Sequence, residues 1–157
     1  MERVVPEVQT AGLPFRKILV PVDFSRQGRE AIDYAATLAL ASRATVYLLH
    51  VVETLSYAEQ FGEVLMETSK MELQWAERLR ELQTTLPPEL ESLVVTRSGT
   101  PFEEIVAAAQ ELDCDLIVMS THGRTGLMHV LIGSTAERVA RHSTRPVLIQ
   151  PSRHLRH

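Results

Sequence analysis

Cysteine is almost absent from the 157-residue chain: Cys114 stands alone, so no internal disulfide can form and nothing else asks for an oxidising compartment. A small buried hydrophobe is the simplest reading of it. No apolar run approaches the roughly 20 residues that a membrane-spanning helix needs, so no membrane association is expected. Residues 1–15, MERVVPEVQTAGLPF, carry Glu2 and Glu7 and lack the continuous apolar stretch of a secretory signal. They read as a flexible arm on a cytoplasmic protein. Positive charge is in deficit, with 16 Lys and Arg against 20 Asp and Glu for a net charge of -4. That balance argues against broad binding to nucleic acid, which relies on many cationic contacts to phosphate, and it requires any anion site to be locally positive. Internal repeats and low-complexity linkers are missing. So are the phosphate-loop pattern GxxxxGK[ST] and the dinucleotide fingerprint GxGxxG, and His122, His129 and His142 are spaced too irregularly for a metal site.

What is present is ordinary for one globular domain, 45% hydrophobic and 23% charged. We place that domain at residues 16–151, followed by a short tail at 152–157. Strand and helix patterns alternate throughout, the signature of a parallel α/β architecture. Strands are predicted at 17–22, 44–52, 93–97, 116–120 and 147–150. Ser25 is a candidate N-cap for a first helix that shows Ala31, Tyr34, Ala35 and Leu38 on one face. A long helix over 57–86 is predicted from the recurrence of Val64, Thr68, Met71, Trp75, Leu79, Leu82 and Leu86, with Pro87-Pro88 as its stop; Trp75 and the methionines read as core. Thr100-Pro101-Phe102-Glu103 has the form of a capping box opening a third helix. A last helix spans 134–142. The expected fold is a Rossmann-like, doubly wound, five-stranded parallel sheet of order 3-2-1-4-5 in a three-layer α/β/α sandwich.

Such sheets bind ligands outside the carboxyl ends of their strands, where the strand order reverses. With order 3-2-1-4-5, Asp23 and Ser120 end the two strands that flank the reversal. PVDFS and STHGRTG, the least core-like segments, are therefore expected to converge. Gly123 and Gly126 suit backbone that approaches an anion. Gly133 precedes a helix whose first N–H groups, with the Ser134 and Thr135 hydroxyls, would face it. Because a polyphosphate is strongly anionic, Arg124 or a divalent cation such as Mg2+ is assigned to help balance it. By spacing alone, a turn followed by a helix start explains the same glycines equally well.

The ordered segments KILVPVDFS, LLHVV, LIVMSTHGRTG, LIGSTAERV and RPVLIQ resemble the universal stress protein family over most of the chain. In ATP-binding members the signature is Gly, two residues, Gly, nine residues, Gly, then Ser or Thr. Here Ser120 occupies the first position, Gly123 the second, residues 124–132 the spacer, and Gly133-Ser134 the end. Serine in place of glycine would carry a steric penalty at positive φ. The resemblance implies ATP as ligand, with Asp23 near the adenine or ribose, Pro21 and Val22 lining the base, and Val51 backbone at the adenine edge. Met119 is a further candidate for the base, and Ser120, Gly123, Arg124, Gly133, Ser134 and Thr135 are assigned to the phosphates. A helix-cap role is the competing reading of Asp23.

Three functions follow as alternatives. The first is an ATP-binding regulatory module of the stress response that signals through an unidentified protein partner. The second is a slow ATP hydrolase or self-phosphorylating protein, with Asp23 or His122 activating the nucleophile. The third is an interaction protein of the same fold without nucleotide. In each case the apolar strand 147–150 at the sheet edge is a candidate homodimer interface.

Overall fold

The computed structural model describes residues 15–54, 63–121 and 132–151. Its elements are β1 (Lys17–Pro21), α1 (Arg26–Ser42), β2 (Thr45–Glu53), α2 (Glu63–Gln83), β3 (Ser92–Gly99), α3 (Pro101–Glu111), β4 (Leu116–Ser120), α4 (Ser134–His142) and β5 (Val147–Gln150). The five strands pair in parallel in the order β3-β2-β1-β4-β5, as expected from the sequence. Side chains alternate across a strand, and the two faces of the sheet bury different helices. Ile18, Val20, Val46, Leu48 and Val118 pack with the alanines of α1 and with Leu79 of α2. Leu19, Leu49, Ile117 and Met119 pack with Ile105, Ala108 and Ala109 of α3 and with Ala136 and Val139 of α4. The result is the three-layer α/β/α sandwich.

Local chemistry accounts for most boundaries and for the departures from expectation. Ser25 caps α1 as predicted, its hydroxyl accepting from the Gly28 N–H at 2.9 Å. The buried stripe of α1 is Gly28, Ala31, Ile32, Ala35, Ala36 and Ala39, whereas Tyr34, expected on that face, is 41% exposed. The small residues form a continuous i, i+3, i+4 stripe that lets the helix lie close to the sheet, and Tyr34 falls just outside it. Helix α2 stops at Gln83, short of the Pro87-Pro88 terminator. The Thr84 and Thr85 hydroxyls donate to the Glu81 and Leu82 carbonyls, and tight i to i−3 turns follow, which consumes the last acceptors before proline is reached. Residues 57–62 of the predicted helix lie outside the described residues.

The capping box of α3 is not formed in full. Thr100 has cap-like extended backbone but makes no side-chain cap hydrogen bond. Pro101 at the first helical position and the acidic Glu103 and Glu104 in the first turn start the helix instead, and Glu104 pairs with Arg97 at 3.7 Å. At the opposite end of the sheet, Asp115 Oδ2 accepts from the backbone N–H groups of Arg16 at 2.7 Å and Lys17 at 2.9 Å, tying the start of β1 to that of β4. Desolvation pushes the Asp115 carboxyl pKa up, but those donors outweigh it and hold it below the ordinary value. No described helix is long and apolar enough to cross a membrane.

Two expectations follow from the core. Leu79 is fully buried and Leu73, on the same helix, is 67% exposed. Leu79→Ala should cost about 2–5 kcal/mol in urea unfolding and Leu73→Ala less than about 0.5 kcal/mol; equal costs would contradict the packing of α2. Cys114 is fully buried, and burial pushes its thiol from 9.0 up to about 11, against a smaller opposing effect of Lys17. A raised pKa means that the folded state holds the proton longer, so stability is lost as pH rises from 9.0 towards 11. Over that range the native chain should lose about 2–3 kcal/mol more than Cys114→Ala, measured as the difference in slope of stability against pH.

Candidate functional site

Strand β1 is the point of reversal: its neighbours β2 and β4 lie on opposite sides of it, and the chain leaves β1 for one face and β4 for the other. A cleft of about 420 Å3 opens at their carboxyl ends, within the range of small-molecule sites. Nine of the residues singled out from sequence line it: Pro21 at the end of β1 with Val22 and Asp23 after it, Val51 on β2, Met119 and Ser120 at the end of β4, and Gly133, Ser134 and Thr135 at the start of α4. Gly123 and Arg124 lie outside the described residues.

The β1 end is held tightly. The Val22 N–H donates to the Leu49 carbonyl at 2.7 Å. Asp23 Oδ1 accepts from the Ser25 N–H at 2.9 Å and from the Ser25 hydroxyl at 2.6 Å, while that hydroxyl accepts from the Gly28 N–H. Asp23 thus supports the cap of α1 and lines the cleft at once, so the two readings of it are compatible. Between them, Phe24 sits at φ 60, a left-handed conformation unusual for a bulky residue. Its ring packs against His50, with centroids 5.3 Å apart, and Trp75, at 5.1 Å, and the Arg78 guanidinium lies 4.5 Å from its centroid. These contacts offset the backbone strain.

At the other end, Gly133 is the N-cap of α4 with φ -65 and ψ 154 and no side-chain cap bond. No helical carbonyl precedes the first N–H groups of α4, which belong to residues lining the cleft. The Thr121 carbonyl accepts from the Gly133 N–H, which brings together the two ends of the segment 122–132. Ser120 is the last residue of β4 and is not among the described residues with positive φ. The steric cost expected of serine at this position therefore does not arise.

Among the described residues that line the cleft, Asp23 and Glu53 are acidic and none is Lys or Arg, so the positive potential that the described residues bring there comes from helix N-termini, that of α4 among them. No group of three His, Cys, Asp or Glu among the described residues could hold a metal ion. Sequence reasoning missed several lining residues, namely His50, Met71, Trp75, Pro101 and Ile105. Met71 and Trp75 were read as core, but they occupy the outer end of the stripe that becomes fully buried at Leu79. A periodic stripe reports which face of a helix is apolar, not where along its length the sheet stops covering it.

Gly28 gives a direct check on the Asp23 anchor. A Cβ there would lie 2.5 Å from Asp23 Oδ1. Gly→Ala in an unobstructed helix adds about 1 kcal/mol. Gly28→Ala should show no such gain, or a loss, in its urea midpoint; a full gain would mean that Asp23 is not held where the structure has it.

Known proteins share both the sequence pattern and the architecture. The family model described as "Universal stress protein family" matches residues 14–151. Universal stress protein MJ0531 of Methanocaldococcus jannaschii is 34% identical over 140 residues, covering 86% of this chain and 81% of that protein. YxiE of Bacillus subtilis, also a universal stress protein, is 33% identical over 147 residues, covering 86% and 98%. The solved structure of MJ0577 superposes with a TM-score of 0.81 at 27% identity, covering 90% of this chain and 99% of that one; MJ0577 is a universal stress protein of Methanocaldococcus jannaschii. With the segments from β1 to β5 and the family match spanning the same residues, the chain belongs to the universal stress protein family.

Proposed function

We propose that the cleft binds ATP and that the chain acts as a nucleotide-binding regulatory module. The observation that carries this reading is the convergence of the β1 end, with Asp23, and the N-terminus of α4, with Gly133-Ser134, on one cleft across Ser120. The cleft has two chemically distinct ends. Towards α4 it presents helix N–H groups and the hydroxyls of Ser134 and Thr135, suited to phosphate. Towards β1 and β2 it is walled by Pro21, Val22, Leu49, Val51 and Val52, with Met119 below, suited to a base. Asp23 lies between them as an acceptor for ribose hydroxyls. Gly123 and Arg124 complete the phosphate side in this reading. With two carboxylates and no cation among the described lining residues, Mg2+ enters on the phosphates rather than in a protein cage, consistent with its preference for few carboxylates and many oxygen ligands.

In this reading, nucleotide binding alters a surface seen by a protein partner. The apolar edge strand β5, bracketed by Pro146 and Pro151, serves a homodimer of a cytoplasmic stress protein.

Heat-denatured protein should release adenine nucleotide, or stripped protein should bind ATP with Mg2+. At a free concentration a hundredfold above Kd the stabilisation is about 2.7 kcal/mol, roughly 5–10 °C in Tm for a domain of this size. Gly133→Asp should abolish that shift while folding normally, because φ -65 suits any residue and Asp is a favoured N-cap. An unchanged shift in Gly133→Asp would remove the phosphates from α4, and absence of any ATP binding by the native chain would overturn the proposal. Phosphate release lost in Asp23→Ala with binding retained would favour a hydrolase instead.

A further inference from the structure

Among the described residues, Phe24, Arg43 and Asp113 adopt positive φ without being glycine. Arg43 is the C-cap of α1 and Asp113 follows the C-cap of α3, places where a left-handed residue closes a helix. Phe24 ends no helix. It stands between β1 and α1, where an aromatic residue at φ 60 carries a cost that other contacts must offset.

Those contacts come from β2 and α2. The Phe24 ring packs against His50 of β2, with centroids 5.3 Å apart, and against Trp75 of α2, at 5.1 Å and an interplanar angle of 27°. The Arg78 guanidinium, also on α2, lies 4.5 Å from the Phe24 centroid. The buried His50 reaches the other side of Asp23 as well. Its Nδ1 is 2.7 Å from the Val22 carbonyl oxygen, and a carbonyl only accepts, so Nδ1 carries the hydrogen and donates it. One side chain thereby fixes the backbone before Asp23 through Val22 and the residue after it through Phe24. Between those fixed points the chain turns so that the Ser25 N–H and hydroxyl both donate to Asp23 Oδ1, at 2.9 Å and 2.6 Å. The left-handed step at Phe24 brings Ser25 back onto that carboxylate.

We infer that Phe24 is a positioning residue: its left-handed backbone, held by His50, Trp75 and Arg78, sets the Asp23 carboxylate where it accepts from ribose hydroxyls, and so makes the cleft select ribonucleotides over deoxyribonucleotides. The inference rests on the nucleotide reading and deepens it by naming what the site discriminates and which residue controls it. Phe24 is not among the residues that line the cleft, so its effect on a ligand passes through Asp23. A site built to hydrogen-bond a hydroxyl rejects the analogue that lacks it, provided that the acceptor is held in place by its surroundings. The ring contacts of Phe24 supply that support from two elements other than the one that carries Asp23.

Calorimetric titration with ATP and with dideoxyadenosine triphosphate, which lacks both ribose hydroxyls, reads the discrimination directly, each nucleotide with Mg2+. The native chain should bind ATP on the order of 10- to 100-fold more tightly than the dideoxy analogue. Two variants separate positioning from packing. Phe24→Val removes the ring and, being β-branched, resists positive φ; it should bind ATP no better than the analogue, with affinity for the analogue unchanged. Phe24→Gly removes still more of the side chain but takes positive φ without strain, and should keep most of the preference. Loss of packing alone predicts the opposite order, because glycine leaves the larger void. A cooperative urea transition checks that each variant is folded; Phe24→Ala and Phe24→Asn, which respectively resist and tolerate positive φ, replace Phe24→Val or Phe24→Gly if either is not. A preference retained in Phe24→Val, a preference lost as fully in Phe24→Gly, or an equal fall in affinity for both nucleotides would overturn the inference, as would equal native affinity for the two. Each of those results leaves the nucleotide reading intact. Failure of the native chain to bind ATP at all would overturn both.

Discussion

Strand β1 is hydrogen-bonded along both edges, to β2 from Lys17 to Pro21 and to β4 at Ile18 and Leu19, and is buried on both faces through its centre. Each remaining feature of the cleft depends on that double parallel pairing. Two parallel neighbours cannot be joined to β1 by tight turns, so the chain must leave by helices, and it does so towards opposite faces on either side of β1. The carboxyl ends of β1 and β4 are consequently left with diverging connections above them. The gap between those connections is the cleft.

Within the cleft two effects oppose each other. The α4 N-terminus carries roughly half a positive charge, whereas Asp23 and Glu53 bring negative charge to the same space. A helix terminus contributes only about 0.3–1 kcal/mol towards an exposed anion, too little by itself to hold a triphosphate beside two carboxylates. The proposed triphosphate would therefore need its charge neutralised by more than the helix terminus, as a divalent cation on the phosphates would do. The aromatic group of Phe24, His50 and Trp75 serves a separate purpose. It holds Phe24 at positive φ, and that conformation sends the backbone from Asp23 directly into the Ser25 cap. The same cluster connects β1, β2 and α2, so the position of the Asp23 carboxylate is coupled to three elements.

The strands and their order were legible in the sequence because each is a short apolar run bounded by turn residues, and because parallel crossovers allow few arrangements. Ser25 was legible because capping is local: it needs only a hydroxyl and the N–H three residues on. Thr100 carried the same local signal and failed, since in the folded chain Pro101 and two first-turn carboxylates already start α3 and the hydroxyl makes no cap bond. Tyr34 was misplaced because a helical pattern defines a face about a third of a turn wide, and the alanine stripe that packs on the sheet is centred beside it. The predicted site residues on β1, β2, β4 and α4 lie at strand ends or at a helix start, positions that sequence patterns mark. Trp75 and Met71 lie within a helix, where periodicity cannot distinguish a side chain over the sheet from one beyond its end.

The sequence by itself determined the alternation of strand and helix, the sheet order, the family, and the few segments too polar or glycine-rich to be core. The family follows from the resemblance of its ordered segments; the rest follows from apolar periodicity and turn chemistry, which act over a few residues, and from the few arrangements that parallel crossovers allow. Only the tertiary structure decided which of those segments share a cleft with Trp75 and His50, that Ser120 ends its strand without the positive φ that would favour glycine, and that Asp23 both supports a helix cap and lines the site. The sharing of the cleft depends on residues far apart in the chain, as in the packing of His50 on Trp75 and the joint lining of one cleft by Asp23 and Ser120. Such contacts are set by how two helical layers close over the sheet, which no local pattern encodes.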